Sequence, residues 1–210
     1  MYIEGDGFAW VSGTMPSTDP TPLNPVALRL ALAQPRGNVA YLGRPCQFVG
    51  AGTESCQQRY WTNGRFAPEV VAANSQAVGV LKDWFGASEL TLVGYSGGAA
   101  IAAMVAAVRQ DVSRLVTVAG NLDHRAWTAY QRVQPLSGSL NAVDFASALA
   151  HVSQMHFVGA EDKVIPPALA LEWGEGLLGA AGANLRIKRG FDHHCCWVQQ
   201  WPSLWDELPE

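Results

Sequence analysis

A serine set between glycines stands at Gly94-Tyr95-Ser96-Gly97-Gly98, a G-x-S-x-G pattern. A serine hydroxyl is a poor nucleophile until a neighbouring base takes its proton, and an imidazole is a good base when a buried carboxylate fixes its tautomer. The chain offers both partner types further along: Asp123 and Asp162 as acids and, among five histidines, the adjacent pair His193-His194. The chemistry of such a set is acyl transfer through a covalent intermediate on the serine. In a chain with 21 glycines a plain Gly-Ser turn would write the same letters. The flanking sequence separates the two readings.

Residues 90–93 are a short apolar run of the kind a buried parallel strand requires, and residues 99–108 are too long and too alanine-rich for another strand. The serine therefore sits on a strand, sharp turn, helix unit. Glycine is needed on either side of it because a Cβ there would collide with the adjoining elements. The helix start aims free N–H groups and a positive dipole end at whatever the serine attacks.

Along the chain, residues 2–4 read as a short strand running into Gly5-Asp6-Gly7, and residues 16–22 as loop. Asn24-Pro25 supplies a cap and a first-turn proline for a helix to about Gln34, followed by a strand at residues 39–42. Residues 43–65 form a long loop with Cys46, Cys56, Tyr60 and Trp61, a length that is usually functional or cross-linked. Pro68 opens a helix that Gly86 closes. After the serine unit come a strand at 114–119, an irregular stretch at 125–140 with one short helix, and a helix capped by Asn141 through Ala150 with Asp144 at its third position. Residues 121–150 could form a lid or a mere connection. A strand at 153–158, a helix at 167–178 closed by the 179–182 turn, a strand at 185–188 and a terminal helix complete the order. In that last helix Trp197, Trp201 and Trp205 make a stripe to pack on the sheet, which Pro202 interrupts.

Strand and helix alternate with no internal repeat, which predicts an α/β fold: a mostly parallel sheet of about six strands with helices on both faces. Chemistry in such sheets gathers at the carboxyl ends of the strands. Ser96, Asp123, Asp162 and the His193-His194 pair all fall there. His156 lies inside a strand and reads as a core residue, while His151 closes a helix where its charge offsets the dipole.

On these residues the chain resembles the α/β-hydrolase superfamily, in particular its small bacterial esterase-like members, over nearly its whole length. The resemblance rests on Gly94-Tyr95-Ser96-Gly97-Gly98, on the segment from Gly159 to Pro166 holding Asp162, and on Asp192-His193 ahead of Cys195-Cys196-Trp197. The superfamily's order of serine, acid, histidine implies Ser96 as nucleophile, Asp162 as orienting acid and His193 as base. His194 stays open as the alternative base and Asp123 as the alternative acid. The oxyanion hole is expected from the backbone N–H of Gly97 and that of Asp6, whose side chain must then turn away, toward an arginine such as Arg44. The family usually carries an antiparallel strand pair, and often an export signal, ahead of this region. Neither is seen here, so the chain is read either as a minimal version or as one whose natural start is not Met1.

At 210 residues, 49% hydrophobic and 15% charged, the chain suits one globular domain. A net charge of −4 offers no basic surface for nucleic acid or an anionic membrane, and the longest apolar run, residues 99–108, is too short to span a bilayer. Met1-Tyr2-Ile3-Glu4 lacks the basic start of a signal peptide. The four cysteines allow three complete pairings; a Cys46–Cys56 bridge would close a small loop and points to an oxidising compartment, so a periplasmic or secreted parent protein is allowed. Asp192-His193-His194-Cys195-Cys196 concentrates metal-ligand types, but neighbouring residues point in different directions and zinc sites favour spaced pairs. No metal and no other cofactor is expected. The expectation is thus a serine hydrolase of esterase, lipase or thioesterase type acting on a small-molecule ester or related acyl bond, with a non-catalytic binding protein on the same fold as the alternative. Abundant Trp and Ala near the pocket walls favour an apolar acyl group.

Overall fold

Strands in this chain are short, and the inner strands of its main sheet are largely buried. The computed structural model describes residues 1–49, 55–178 and 183–209. In order, its elements are β1 (Tyr2–Ile3), β2 (Trp10–Ser12), β3 (Met15–Pro16), α1 (Val26–Ala33), β4 (Tyr41–Leu42), α2 (Pro68–Phe85), β5 (Leu90–Tyr95) and α3 (Gly97–Val108). There follow β6 (Val112–Val118), α4 (His124–Gln131), β7 (Ser153–Gly159), α5 (Pro167–Leu178), β8 (Ala183–Lys188) and α6 (Trp197–Asp206), with 3₁₀ runs at Gln58–Trp61 and Ala142–Leu149.

Six strands form one sheet in the order β4-β1-β5-β6-β7-β8, every pair parallel. Side chains alternate across it. Tyr2, Val93, Tyr95, Val116, Val118, Met155 and Phe157 pack toward α1 and α6, whereas Ile3, Leu90, Leu92, Leu115 and Val158 pack toward α2, α3 and the Ala142–Leu149 run. Parallel strands need crossovers, and these supply helices to both faces. From β1 the chain steps outward to β4 through α1, then returns past β1 to β5 through α2 and continues outward the other way. The reversal puts a topological switch point between β1 and β5, where open α/β sheets form their ligand crevice.

Local chemistry departs from the sequence expectations at several places. Residues 10–16 form an antiparallel hairpin, which takes Pro16 out of the loop expected at residues 16–22. Trp10, Val11 and Met15 are exposed, so no buried alternation marks it. The strand expected at 39–42 shrinks to Tyr41–Leu42 at the sheet edge. Asn24 does not cap α1; its Oδ1 accepts from Arg29 Nη1 at 2.8 Å. Glu4, at the end of β1, takes over that task, its carboxyl oxygens accepting the N–H groups of Ala27 (3.2 Å) and Leu28 (3.3 Å). Burial pulls the Glu4 carboxyl above the ordinary carboxylate range in spite of these bonds. Asn141 likewise does not cap the segment that follows it, and the expected helix there is the 3₁₀ run. Its side chain is spent on a tertiary contact, accepting from the His124 N–H at 2.9 Å and donating to Asp123 Oδ1 at 2.7 Å.

The tryptophan stripe packs as read from the spacing. Trp197 and Trp201 are fully buried, and the Trp201 indole donates to the Tyr2 hydroxyl at 2.9 Å, tying α6 to the first strand. The cysteines pair as Cys46–Cys56 and Cys195–Cys196. The expected turn at 179–182 lies outside the described residues. Among the described residues no helix is long and apolar enough to cross a membrane.

Candidate active site

Ser96 leaves β5 with φ 52° and ψ −121°, in the left-handed half of backbone space that a non-glycine residue enters only when its surroundings force it. The surroundings do so through close packing. A Cβ on Gly94 would collide with Ala99 and the Gly98 carbonyl, and one on Gly98 with the carbonyls of Ile3 and Glu4. The Ser96 N–H donates to the Val118 carbonyl at 3.0 Å, and its own carbonyl accepts from Asn121 at 3.1 Å, so the turn is stitched to the end of β6.

From this turn the hydroxyl faces the loop that follows β8. His193 Nε2 lies 3.0 Å from Ser96 Oγ, and His193 Nδ1 lies 2.8 Å from Asp162 Oδ2. The other Asp162 oxygen accepts the N–H groups of Val164 and Ile165, both at 2.8 Å. An ionised carboxylate only accepts, so Nδ1 carries the proton and Nε2 is left to accept from the serine hydroxyl. The Asp162 side chain is wholly buried and that of His193 nearly so, while Ser96 is half-buried. The water-facing end of this hydrogen-bonded run is the serine.

His194 and Asp123 stand outside it. The Tyr95 hydroxyl donates to the His193 carbonyl at 2.9 Å and lies 3.0 Å from His194 Nδ1. One hydroxyl has one proton, so His194 Nδ1–H donates to Tyr95, which donates onward to the His193 backbone. Partial burial, then the nearby His193, hold the His194 imidazole below its ordinary basicity. Burial first, and then the negative field of Asp162, push the Tyr95 phenol up and keep it a donor. Asp123 caps α4, its Oδ1 accepting from Arg125 (3.0 Å), Ala126 (3.2 Å) and Asn141. Of the other histidines, His156 is fully buried with Nδ1 on Thr117 Oγ1, and burial pushes it down to about 4. His151 approaches the carbonyl of Arg109, at the carboxyl end of α3, instead of serving the 3₁₀ run before it.

Gly97 follows Ser96 as the first residue of α3, and Asp6, in the loop that leaves β1, lines the same cavity as Ser96. The Asp6 carboxylate lies against Gly97, where any Cβ would collide with it. It accepts from Arg44 Nη1 at 3.2 Å and Arg65 Nη1 at 2.6 Å. Arg44 is the partner anticipated from sequence. Arg65 is one the sequence reading missed, because nothing in the spacing of a long loop marks its last residue. Burial pulls the Asp6 carboxyl up, but Arg65 and then Arg44 outweigh it and hold it below the usual range.

A cavity of about 530 Å³ opens over Ser96, walled by Phe8, Trp10, Leu23, Trp127 and Val164. The Trp127 indole donates to the Val164 carbonyl at 2.9 Å, fixing α4 as one side of it. A second cavity of about 530 Å³ meets the first at Trp10, Arg65 and Trp127. Among the described residues no group of three or more His, Cys, Asp and Glu is placed to hold a metal ion.

The solved structure of TT1662 from Thermus thermophilus matches 86% of this chain and 82% of its own at 16% identity, with a TM-score of 0.64. The Pyrococcus furiosus esterase Pf2001 matches 80% of this chain at 15% identity and TM-score 0.58, this chain spanning 67% of its length. A putative dienelactone hydrolase from Klebsiella pneumoniae matches 65% of this chain and 59% of its own at 19% identity and TM-score 0.53. No family model matches the chain, and no curated protein matches it in sequence. The parallel sheet, its flanking helices and these neighbours give the chain the α/β-hydrolase fold.

Proposed function

We propose that this chain is a serine hydrolase that cleaves a carboxylic ester, or a related acyl bond, through an acyl-enzyme on Ser96. The observation that carries the reading is the unbroken run from Ser96 Oγ through His193 to the buried Asp162, at the open end of the sheet. His193 Nε2 takes the hydroxyl proton as Ser96 attacks the carbonyl carbon, and Asp162 stabilises the imidazolium that results. The N–H groups of Gly97 and Asp6 donate to the carbonyl oxygen as negative charge develops on it. The Asp6 carboxylate is paired with two guanidinium groups, which offset its repulsion of that oxyanion. His193 then returns the proton to the leaving group and activates water against the acyl-enzyme. The aromatic and aliphatic walls favour an apolar acyl group, and α4 acts as the fixed side of the cleft, a cap built from the 121–150 segment. The likeness to a solved esterase supports the reading at the level of fold.

Covalent labelling with a fluorophosphonate tests it. The native protein should be modified at Ser96, located by peptide mass, and Ser96→Ala should take no label while keeping its fold. Well-folded native protein that resists the probe would instead favour a binding protein.

The Tyr95 hydroxyl holds the base by its backbone. A hydrogen bond contributes about 1 kcal/mol net, so Tyr95→Phe should lower kcat roughly five- to tenfold with little change in KM. Steady-state kinetics on a soluble ester reads this directly, and an unchanged kcat would remove Tyr95 from the positioning of His193.

A further inference from the structure

Two cysteines adjacent in sequence, Cys195 and Cys196, are joined to each other two and three residues beyond His193. Nothing in the proposed acyl transfer uses them. A bridge between neighbours closes almost no chain, so it hardly restrains the unfolded state and adds little to stability by that route. What it restrains is the backbone of the two residues themselves. Cys196 has φ 80°, a left-handed conformation disfavoured roughly tenfold for a residue with a Cβ, and it is also the residue at which α6 begins. The same few residues hold His193 in place. The Asp192 carboxylate accepts the N–H groups of His194 (2.7 Å) and Cys195, its carbonyl accepts the Trp197 indole N–H at 2.9 Å, and Tyr95 holds the His193 carbonyl. Cys195 is exposed to solvent, whereas His193 beside it is buried.

We infer that the Cys195–Cys196 disulfide is a thiol–disulfide exchange site, open to dithiol reductants, whose oxidised form locks the loop that carries His193. A thiolate of the dithiol attacks the Sγ of the exposed Cys195, the Sγ–Sγ bond breaks, and Cys196 leaves as a thiolate that takes a proton. The second thiol of the reductant then displaces Cys195 and closes its own disulfide. Two electrons and two protons pass from the dithiol to the protein. With the ring open, Cys196 relaxes toward negative φ, the turn at Asp192 loosens, and His193 Nε2 loses its fixed approach to Ser96. The effect on turnover rests on the hydrolase reading above; the loosening of the loop does not.

The test uses Cys46→Ser/Cys56→Ser protein, in which 195–196 is the remaining bridge, assayed on a soluble ester before and after dithiothreitol with the opened thiols counted by alkylation and mass. Reduction should lower kcat roughly tenfold with little change in KM, and reoxidation should restore it. Two further variants separate geometry from chemistry. Cys195→Ser/Cys196→Gly takes the same φ without a Cβ and should keep the oxidised protein's rate while ignoring dithiothreitol. Cys195→Ser/Cys196→Ser should match the reduced protein. Should the background variant not fold, native protein titrated with dithiothreitol and peptide-mapped gives the same reading, with kcat falling in step with opening of Cys195–Cys196 and not of Cys46–Cys56. Hydrogen exchange at the amides of His194 and Cys195 reads the loop with no substrate and should rise on reduction. Full kcat and unchanged exchange with both thiols free would overturn the proposal, as would a glycine variant as slow as the serine one. Faster exchange on reduction in a protein that never labels with a fluorophosphonate would leave the loop lock standing and remove the hydrolase reading alone.

Discussion

Alanine in place of His193 is expected to lower kcat/KM on an ester roughly 10³- to 10⁴-fold, while alanine in place of His194 costs about tenfold or less. The two residues are neighbours of one type, yet the structure separates them sharply. His193 Nε2 is 3.0 Å from the Ser96 hydroxyl and its Nδ1 is 2.8 Å from a buried carboxylate, so removing its ring removes the acceptor for the serine proton. His194 reaches the Tyr95 hydroxyl and packs edge-on against the His193 ring, and its loss leaves Tyr95 still able to donate to the His193 carbonyl. Fluorophosphonate labelling rates divide the effects again, because the probe reports the nucleophile without a leaving group that needs protonation. His193→Ala should label far more slowly than native protein and His194→Ala at a comparable rate. Equal losses in the two variants would mean that the base is not His193.

Much of this arrangement could be read from the chain because the decisive residues lie where an alternating pattern changes. Ser96 ends an apolar strand, Asp162 follows the next-to-last strand and His193 follows the last, so recognising parallel strands already puts all three at one edge. The choice between His193 and His194 was not so legible. It depends on which way two consecutive side chains project from an irregular loop, and that follows from the Asp192 turn and the left-handed Cys196. Side-chain caps misled for a related reason. Asn24 and Asn141 both stand at helix starts by pattern, but the Arg29 side chain within α1 and the distant Asp123 take their amides, while Glu4, at the end of β1, caps α1. The exposed hairpin at Trp10–Ser12 and Met15–Pro16 left no burial pattern to find. Arg65 was silent because pairing to a buried carboxylate is a fact of the fold and not of its neighbours in sequence.

That pairing sets the other large effect. Asp6→Ala should destabilise the protein by about 3–5 kcal/mol, because it leaves the buried guanidinium groups of Arg44 and Arg65 without their counter-charge. Their side chains are only 4% and 7% exposed, and the Arg44 guanidinium also lies 5.4 Å over the Phe66 ring, so water cannot readily replace the carboxylate. The sign of the pH dependence follows. The folded-state pKa of Asp6 lies below the ordinary value, so its contribution is complete above the unfolded pKa of about 3.9 and is lost as pH falls through the folded one. Urea midpoints of native protein should therefore drop on acidification below about pH 4, with a smaller drop in Asp6→Ala. The carboxylate also lies where a side chain on Gly97 would go, so Gly97→Ala should be costly in native protein and much cheaper in the Asp6→Ala background. Additive losses in that cycle, or an Asp6→Ala midpoint matching the native one, would mean that the cluster neither holds the turn beside Ser96 nor depends on its carboxylate.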